Sequence, residues 1–326
     1  VSYDTDPIEP TDYPFGCEPH ISGNIPQTTV TLQSEYKPFD QAVGADLGLT
    51  LDAVVSTLKS LPTKEISLLD FVPRGKFQDG VGACNIYTTG KAFQACTKMQ
   101  GGPSVDVSYA AVYWDLNRTN DPGQGTLPED SLKYMLEKGI PLASQETPEL
   151  TQRRFNLTPA QRKDALKYRF NDAYLLNRNN GGLSACDAIM KGYLADGGIW
   201  WYDTDSYVSK DGRLPAVGRN IRSFSPGGHS VIFGSLKWFD EGGQVNAGGR
   251  MVNLESGLHI GFNNHHGDDE CKPFTFPNGA TVTPRWGLNG CGYIPMSRVT
   301  AGMKVFAWWA LKDVFRFWGD LPTPTF

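Results

Sequence analysis

Basic charge, histidine and long apolar runs are all scarce in this sequence. Lys and Arg number 30 against 35 Asp and Glu, for a formal net charge of −5. No basic run or basic–aromatic stripe offsets that balance, which argues against a nucleic-acid binder, since such proteins need a basic footprint. No apolar stretch reaches the roughly 20 residues that a membrane-spanning helix needs. No internal repeat is visible. With 40% hydrophobic and 20% charged residues, wholesale disorder is excluded. The opening Val1-Ser2-Tyr3-Asp4-Thr5-Asp6 is no signal peptide. The expectation is either a removed leader or pro-segment or a lost initiator Met. Localisation stays open between a processed secreted or assembly-associated protein and a cytoplasmic one.

The six cysteines (Cys17, Cys84, Cys96, Cys186, Cys271 and Cys291) do not decide the redox compartment. Cys271 and Cys291 bracket a turn-rich loop and are the best candidates for a pair. Asn117-Arg118-Thr119 and Asn156-Leu157-Thr158 match the glycosylation acceptor pattern, a short pattern that usually arises by coincidence.

What is present points to one large domain or two modest ones. The 326 residues provide ample chain for a core, and 36 Gly, 22 Pro and 12% aromatics suggest a loop-rich fold. Residues 1 to about 45 show no sustained periodicity and read as an extended arm over the body. Thr50 then caps a short helix carrying Val54, Val55, Leu58 and Leu61, stopped by Pro62. From Cys84 to about Gln100 the pattern is helical, with Ile86, Gly90, Phe93 and Thr97 on one face. Further helices are expected from Ser108 through Leu116, from a capping box Thr126-Leu127-Pro128-Glu129 to Lys138-Gly139, from Thr158-Pro159 onward with Ala165, Leu166 and Phe170, and over Ser184 to Leu194. Beyond residue 197, short β-type runs such as Ile199-Trp200-Trp201-Tyr202 and Ser230-Val231-Ile232-Phe233 alternate with Gly-rich turns. Helices first and strands later predict an α+β fold. The expected division is an arm and short helix over 1–65, a body over 66–300 (helical to about 195, β-rich from about 196), and an aromatic-rich segment over 301–326.

The chemistry-bearing residues recur in one chain order. Gln78 stands six residues before Cys84, in Gln78-Asp79-Gly80-Val81-Gly82-Ala83-Cys84. A helix start supplies unpaired N–H groups and a dipole that favour a thiolate. Of the five histidines, at 20, 229, 259, 265 and 266, His229 alone sits between a tight turn and an apolar strand, in Gly227-Gly228-His229-Ser230-Val231. Phe262-Asn263-Asn264-His265-His266-Gly267 follows. Singly, each residue has a bland reading: a Cys at a helix start is more often buried filler, and a His opening a strand is usually structural. Together, a thiol, an imidazole and a carboxamide can form a nucleophile, a base and an orienting group, with a Gln as oxyanion donor.

On these residues the chain resembles the papain-like cysteine proteases, patchily from about residue 70 to 298. Gln78 with Gly82-Ala83-Cys84 is similar to the family's nucleophile signature. His229 comes about 145 residues after Cys84, within the roughly 130–150 typical of that type. Asn264-His265-His266-Gly267 resembles its Asn-Ser-Trp-Gly block, and Trp286-Gly287 through Gly292-Tyr293 its later Trp-Gly run. Asp121-Pro122-Gly123-Gln124-Gly125-Thr126-Leu127 is similar to the glycine strand that holds substrate backbone.

The resemblance implies a two-part fold, helical and β-rich (barrel-like), with a cleft between. It implies a peptidase acting through a thioester on peptide or protein substrates. Cys84 would be nucleophile, His229 base, Asn264 orienter and Gln78 oxyanion donor, with Gly123, Gly125 and Gly228 against the substrate. Asn263 is the adjacent alternative to Asn264, which is preferred because it alone keeps the spacing to Gly267.

No cofactor or metal is called for. His265, His266, Asp268, Asp269, Glu270 and Cys271 form a ligand-rich run, but neighbouring side chains on a strand face opposite ways and no known ligand spacing is present. Three departures stand out. Asn85 replaces an aromatic, His266 replaces a tryptophan over the Asn–His pair, and residues 1–65 lack a helical pro-region pattern. From His266 a looser His229–Asn264 pair is expected, together with protonation of His266 below about pH 6.5. The rival reading is a papain-like fold with weak or lost activity, used as a structural or partner-binding protein. The aromatics Phe306, Trp308, Trp309, Phe315, Phe317 and Trp318 would be either core or a partner surface.

Overall fold

In the computed structural model the described residues are 38–44, 49–78, 81–117, 119, 121–144, 156–177, 182–202, 205, 207–216, 228–275, 281–282, 286–300, 308–312 and 314. The first helix starts where its cap predicts. Thr50 is extended and its hydroxyl accepts from Ala53 N–H at 3.1 Å, opening α1, Leu51–Ser60. Such a cap is worth about 1 kcal/mol. Val54 and Leu58, one turn apart, are buried on one face.

The other helices are α2 (Cys84–Met99), α3 (Tyr109–Leu116), α4 (Pro128–Glu137), α5 (Pro159–Ala165), α6 (Leu183–Met190) and α7 (Met296–Thr300). Ser108 caps α3, and Thr158 with Gln161 forms a full capping box on α5. At α4 the expected box is absent. Pro128 takes the first helical position, so the cap is Leu127, and the Thr126 carbonyl and hydroxyl accept from the Asn85 side-chain amide instead. The helix expected to reach Leu194 stops at Met190, because Gly192 turns the chain at φ 79° and Leu194 opens a strand.

Strands β1 (Glu65–Ser67), β2 (Tyr174–Leu175), β3 (Leu194–Trp200), β4 (Gly228–Phe239), β7 (Gly257–Asn263), β10 (Cys291–Pro295) and β11 (Trp308–Leu311) form one sheet. The pairs β5 (Gly243–Ala247) with β6 (Arg250–Leu254), and β8 (Phe274–Thr275) with β9 (Thr281–Val282), form separate hairpins. The main sheet runs β10-β7-β4-β3-β11-β2, with β1 on β4, all antiparallel. The long β4 is its axis.

One core cluster gathers α2, α3 and α4 around Ile86, Phe93, Tyr113, Trp114 and Leu132. The second lies around the β-rich part and includes Val231, Phe233, Ile260, Phe262 and Ile294. The α+β organisation read from the sequence is therefore present, with a helical and a β-rich part. Within residues 1–65, Phe39 and α1 enter the second core, where Phe39 meets Tyr174 and Tyr193 edge-on. Trp309 is wholly buried, so this residue of the aromatic-rich segment is core. Phe306, Phe315, Phe317 and Trp318 lie outside the described residues.

Helix α2 is buried almost all round, yet it carries Asn85, Thr88, Thr89, Lys91 and Thr97. A helix in that position is ordinarily apolar on every side, and buried polar groups demand partners. Thr97 bonds within its own helix, whereas Asn85, Thr88 and Lys91 find partners at Thr126, His265 and Asn263–Asn264, in the loops and strand ends that carry the candidate site residues.

Candidate active site

Cys84 is the first residue of α2 and is fully buried; Ala83 precedes it as a cap with no side-chain bond. The loop before it is pinned by glycine. Gly82 N–H donates to Pro122 O at 2.8 Å, and a Cβ at Gly82 would lie 2.5 Å from Gln124 O. The segment holding Gly123 and Gly125 thus lies directly against the loop before Cys84. Tyr113 and Asn117 support that segment from behind. The Tyr113 hydroxyl lies 2.9 Å from both Pro122 O and Gln124 O, and Asn117 Nδ2 donates to Asp121 O at 2.8 Å. The Asn117 amide is buried in this role, whereas Asn156 of the other acceptor pattern is exposed.

His229 is the second residue of β4 and lies opposite Ile199 of β3, and Gly228 beside it pairs with Trp200. Asn264 follows the last residue of β7. Since β4 and β7 pair in the middle of the sheet, their ends bring these two residues together. His229 Nε2 lies 2.6 Å from Asn264 Oδ1, and both residues are buried. A carboxamide oxygen only accepts, so Nε2 carries the proton and Nδ1 is left as the basic nitrogen. Asn264 Oδ1 also accepts from His265 N–H at 2.7 Å, which fixes the amide's orientation. Asn263, the alternative orienter, points elsewhere: its Oδ1 accepts from Lys91 Nζ at 2.8 Å.

Gln78 is drawn to the same place through backbone. Its N–H donates to His265 O at 3.2 Å, Phe77 bridges His266, and its side-chain Nε2 donates to Val81 O at 3.0 Å. Cys84's own helix reaches the histidine strand one turn further on. Thr88 Oγ1 lies 2.8 Å from His265 Nε2, which lies 3.0 Å from Ser230 O, the residue after His229. Thr89 Oγ1 approaches Asp196 at 3.0 Å, and Asp196 also meets Ser230 Oγ at 3.4 Å.

The two adjacent histidines do face different ways. His265 turns to Thr88 and Ser230, while His266 lies beside His229 with ring centroids 4.8 Å apart. Asp268 accepts from Gly75 N–H and Glu270 N–H instead. Cys271 and Cys291 are both free thiols, which overturns the expected pair. Asn263 Nδ2 donates to Cys291 Sγ at 3.6 Å, and Cys271 hydrogen-bonds Asp268.

The expectation of a loose His229–Asn264 pair also fails, for a reason the sequence hid. Trp201 sits edge-on to His229 at 5.0 Å and to His266 at 5.3 Å, so an indole from beyond β3 packs against the imidazole. Trp286 backs Trp201 at 5.5 Å and donates its Nε1 proton to Asp205 O at 3.0 Å. The Asp205 carboxylate is held by both terminal nitrogens of Arg298, at 2.7 and 2.8 Å. Nor does His266 titrate near neutrality. Burial, then the neighbouring His229 and Lys91, hold it well below the usual imidazole value.

Trp201, Asp196, Lys91 and Tyr113 were not singled out from the sequence, and Asn117 was noted only for its glycosylation acceptor pattern. Trp201 had a usable signal: Ile199 and His229 each open or extend apolar runs that pair, which carries Trp201 past the imidazole.

No family model matches the chain, and no curated protein matches it in sequence. Its fold does match solved structures. Xylellain, a cysteine protease from Xylella fastidiosa, aligns with TM-score 0.60 at 14% identity, over 95% of this chain and 99% of that one. Digestive procathepsin L2 proteinase from the Tenebrio molitor larval midgut aligns with TM-score 0.56 at 15% identity, over 92% and 78%. The Carica candamarcensis cysteine protease CMS1MS2, solved with E-64, aligns with TM-score 0.51 at 17% identity, over 78% and 100%.

Proposed function

We propose that this chain, whose fold is that of the papain-like cysteine proteases, is a cysteine peptidase that hydrolyses peptide bonds through a thioester on Cys84. The observation that carries the reading is the buried 2.6 Å contact between His229 Nε2 and Asn264 Oδ1, at the end of the strands packed on the Cys84 helix. It selects the tautomer whose unprotonated nitrogen, Nδ1, can take a thiol proton.

In the first step His229 Nδ1 takes the proton of Cys84, and the thiolate, favoured by the α2 dipole, attacks the carbonyl carbon. The tetrahedral oxyanion receives hydrogen bonds from the Gln78 amide and the Cys84 backbone N–H. Collapse breaks the C–N bond, and the imidazolium returns its proton to the leaving amine. Water, deprotonated by the same imidazole, then hydrolyses the thioester and regenerates the thiol. Asn264 holds the imidazole in place throughout. Gly123, Gly125 and Gly228 border the cleft as the backbone-binding positions. Residues 66–300 are the catalytic body in this reading.

The test is hydrolysis of a mixed peptide library by the parent chain and by Cys84→Ala. Cleavage by the parent and none by the Ala variant supports the reading. A folded parent that cleaves nothing returns the chain to a binding or structural role.

A further inference from the structure

The nucleophile helix carries a cation where an apolar residue would pack. Lys91 lies seven residues after Cys84 on α2, two turns along the same face, and is 1% exposed. A buried ammonium is costly unless it is paired and hydrogen-bonded. Lys91 spends its donors on one place: Nζ donates to Asn263 Oδ1 at 2.8 Å and to Asn264 O at 3.2 Å. On the other side Asn264 N–H donates to Gly290 O at 2.8 Å. The backbone of Asn264 is therefore held from both sides, while its side-chain oxygen faces His229.

We infer that Lys91 is a positioning residue. Its ammonium ties the end of β7, which presents Asn264, to the helix that presents Cys84, and so sets the spacing between nucleophile and base–orienter pair. As a functional role this rests on the peptidase reading above; as a geometric one it does not. The groups facing Lys91 are Asp268 and Cys271 from the loop after β7, Cys291 from β10, Lys76 from the segment before α2, and the neighbouring His265 and His266. Burial lowers its pKa from 10.5 to about 8, with Asp268 opposing. The clamp thus loses its charge in the mildly alkaline range.

The experiment compares the full chain with Lys91→Met, and with Asn263→Ala, which removes one acceptor and leaves Lys91 in place. Two quantities are read. In 15N-histidine-labelled protein, exchange of the His229 Nε2 proton reports the pair without any need for activity. With peptide substrate, kcat and KM are separated. Lys91→Met is expected to speed that exchange at least about tenfold and to lower kcat about 10²-fold with KM within about twofold, the scale of an approximately 1 Å misplacement. Asn263→Ala should fall between, and it decides the matter should the Met variant not fold. In the parent, protection of the Nε2 proton should decline above about pH 8, a change absent from Lys91→Met. Folded variants with parental exchange at every pH overturn the inference, even if the chain is a peptidase. Altered exchange in a parent that shows no hydrolysis keeps the clamp and removes the peptidase reading.

Discussion

Asp196→Asn perturbs the polar layer beneath the Cys84 helix without changing its shape. Asp196 on β3 is 1% exposed, and its Oδ2 lies 3.0 Å from Thr89 Oγ1. Thr89 has a single hydroxyl proton, and Asn85 O, an acceptor only, lies 2.8 Å from the same oxygen. Thr89 Oγ1 donates to Asp196 Oδ2 as well, so one proton is shared between two acceptors and the buried carboxylate is only partly compensated. Electrostatics agrees. Burial raises the Asp196 pKa from 3.8 to about 7; the Thr89 and Ser230 hydroxyls oppose the rise, and Cys84 and Glu129 add to it.

A carboxyl whose folded pKa lies above its unfolded value stabilises the fold fully below the unfolded pKa and loses that contribution as pH rises toward the folded one. Here the window runs from about pH 4 to about pH 7. At about 1.4 kcal/mol per pH unit, the cost of keeping Asp196 buried is below about 1 kcal/mol at pH 4 and reaches about 4 kcal/mol above pH 7. Asparagine is never charged, and its Oδ1 accepts from Thr89 as the carboxyl oxygen does. Urea unfolding of both proteins from pH 4 to 8 should therefore show Asp196→Asn gaining on the parent by about 3–4 kcal/mol across the range. The same variant should alkylate faster at Cys84 above pH 7, because no carboxylate then opposes the thiolate. A stability difference that does not change with pH, or a parent that is the more stable at pH 8, refutes the argument.

Trp201→Phe shortens the aromatic packed against His229 and admits water, so kcat/KM should fall about tenfold, or about 1.4 kcal/mol, with the fold retained; an unchanged value would mean that Trp201 only packs. His266→Trp introduces the tryptophan that the resemblance to papain-like proteases implies, but forces a second indole against Trp201 in a closed core. Overpacking should cost about 1–3 kcal/mol in urea unfolding and give no rate gain, and a faster, equally stable variant would show that the packing around His229 is incomplete. Gln78→Ala should slow turnover about 10²–10³-fold with little change in KM, as for loss of one oxyanion donor; equal rates would remove Gln78 from the mechanism.

Local signals in the sequence held where chemistry is local. The Thr50 cap and the helix starts at Thr158-Pro159 and at Cys84 depend on residues within one turn of each other, and all three appear. Thr126 failed because a distant side chain, Asn85, competes for its oxygens and Pro128 shifts the cap. The fold and the order of Gln78, Cys84, His229 and Asn264 were legible because glycine turns and apolar runs flank each residue. What surrounds them was not. Trp201 reaches His229 through strand register, Asp196 meets α2 from β3, and Lys91 on α2 meets Asn263 at the end of β7. None of those contacts leaves a periodic or spaced signal along the chain. His266 shows the consequence: the sequence marks the missing tryptophan, and only the packing reveals another in its place.

The central claim is that Cys84 is a nucleophile activated by His229. The most direct measurement is intact-mass and peptide-level mass spectrometry after incubation with a thiol-directed epoxysuccinyl inhibitor, on the parent and on His229→Ala. The account predicts one adduct, on Cys84, formed by the parent and suppressed in the His229 variant. An unmodified Cys84 in the folded parent, or labelling at the same rate without His229, contradicts it.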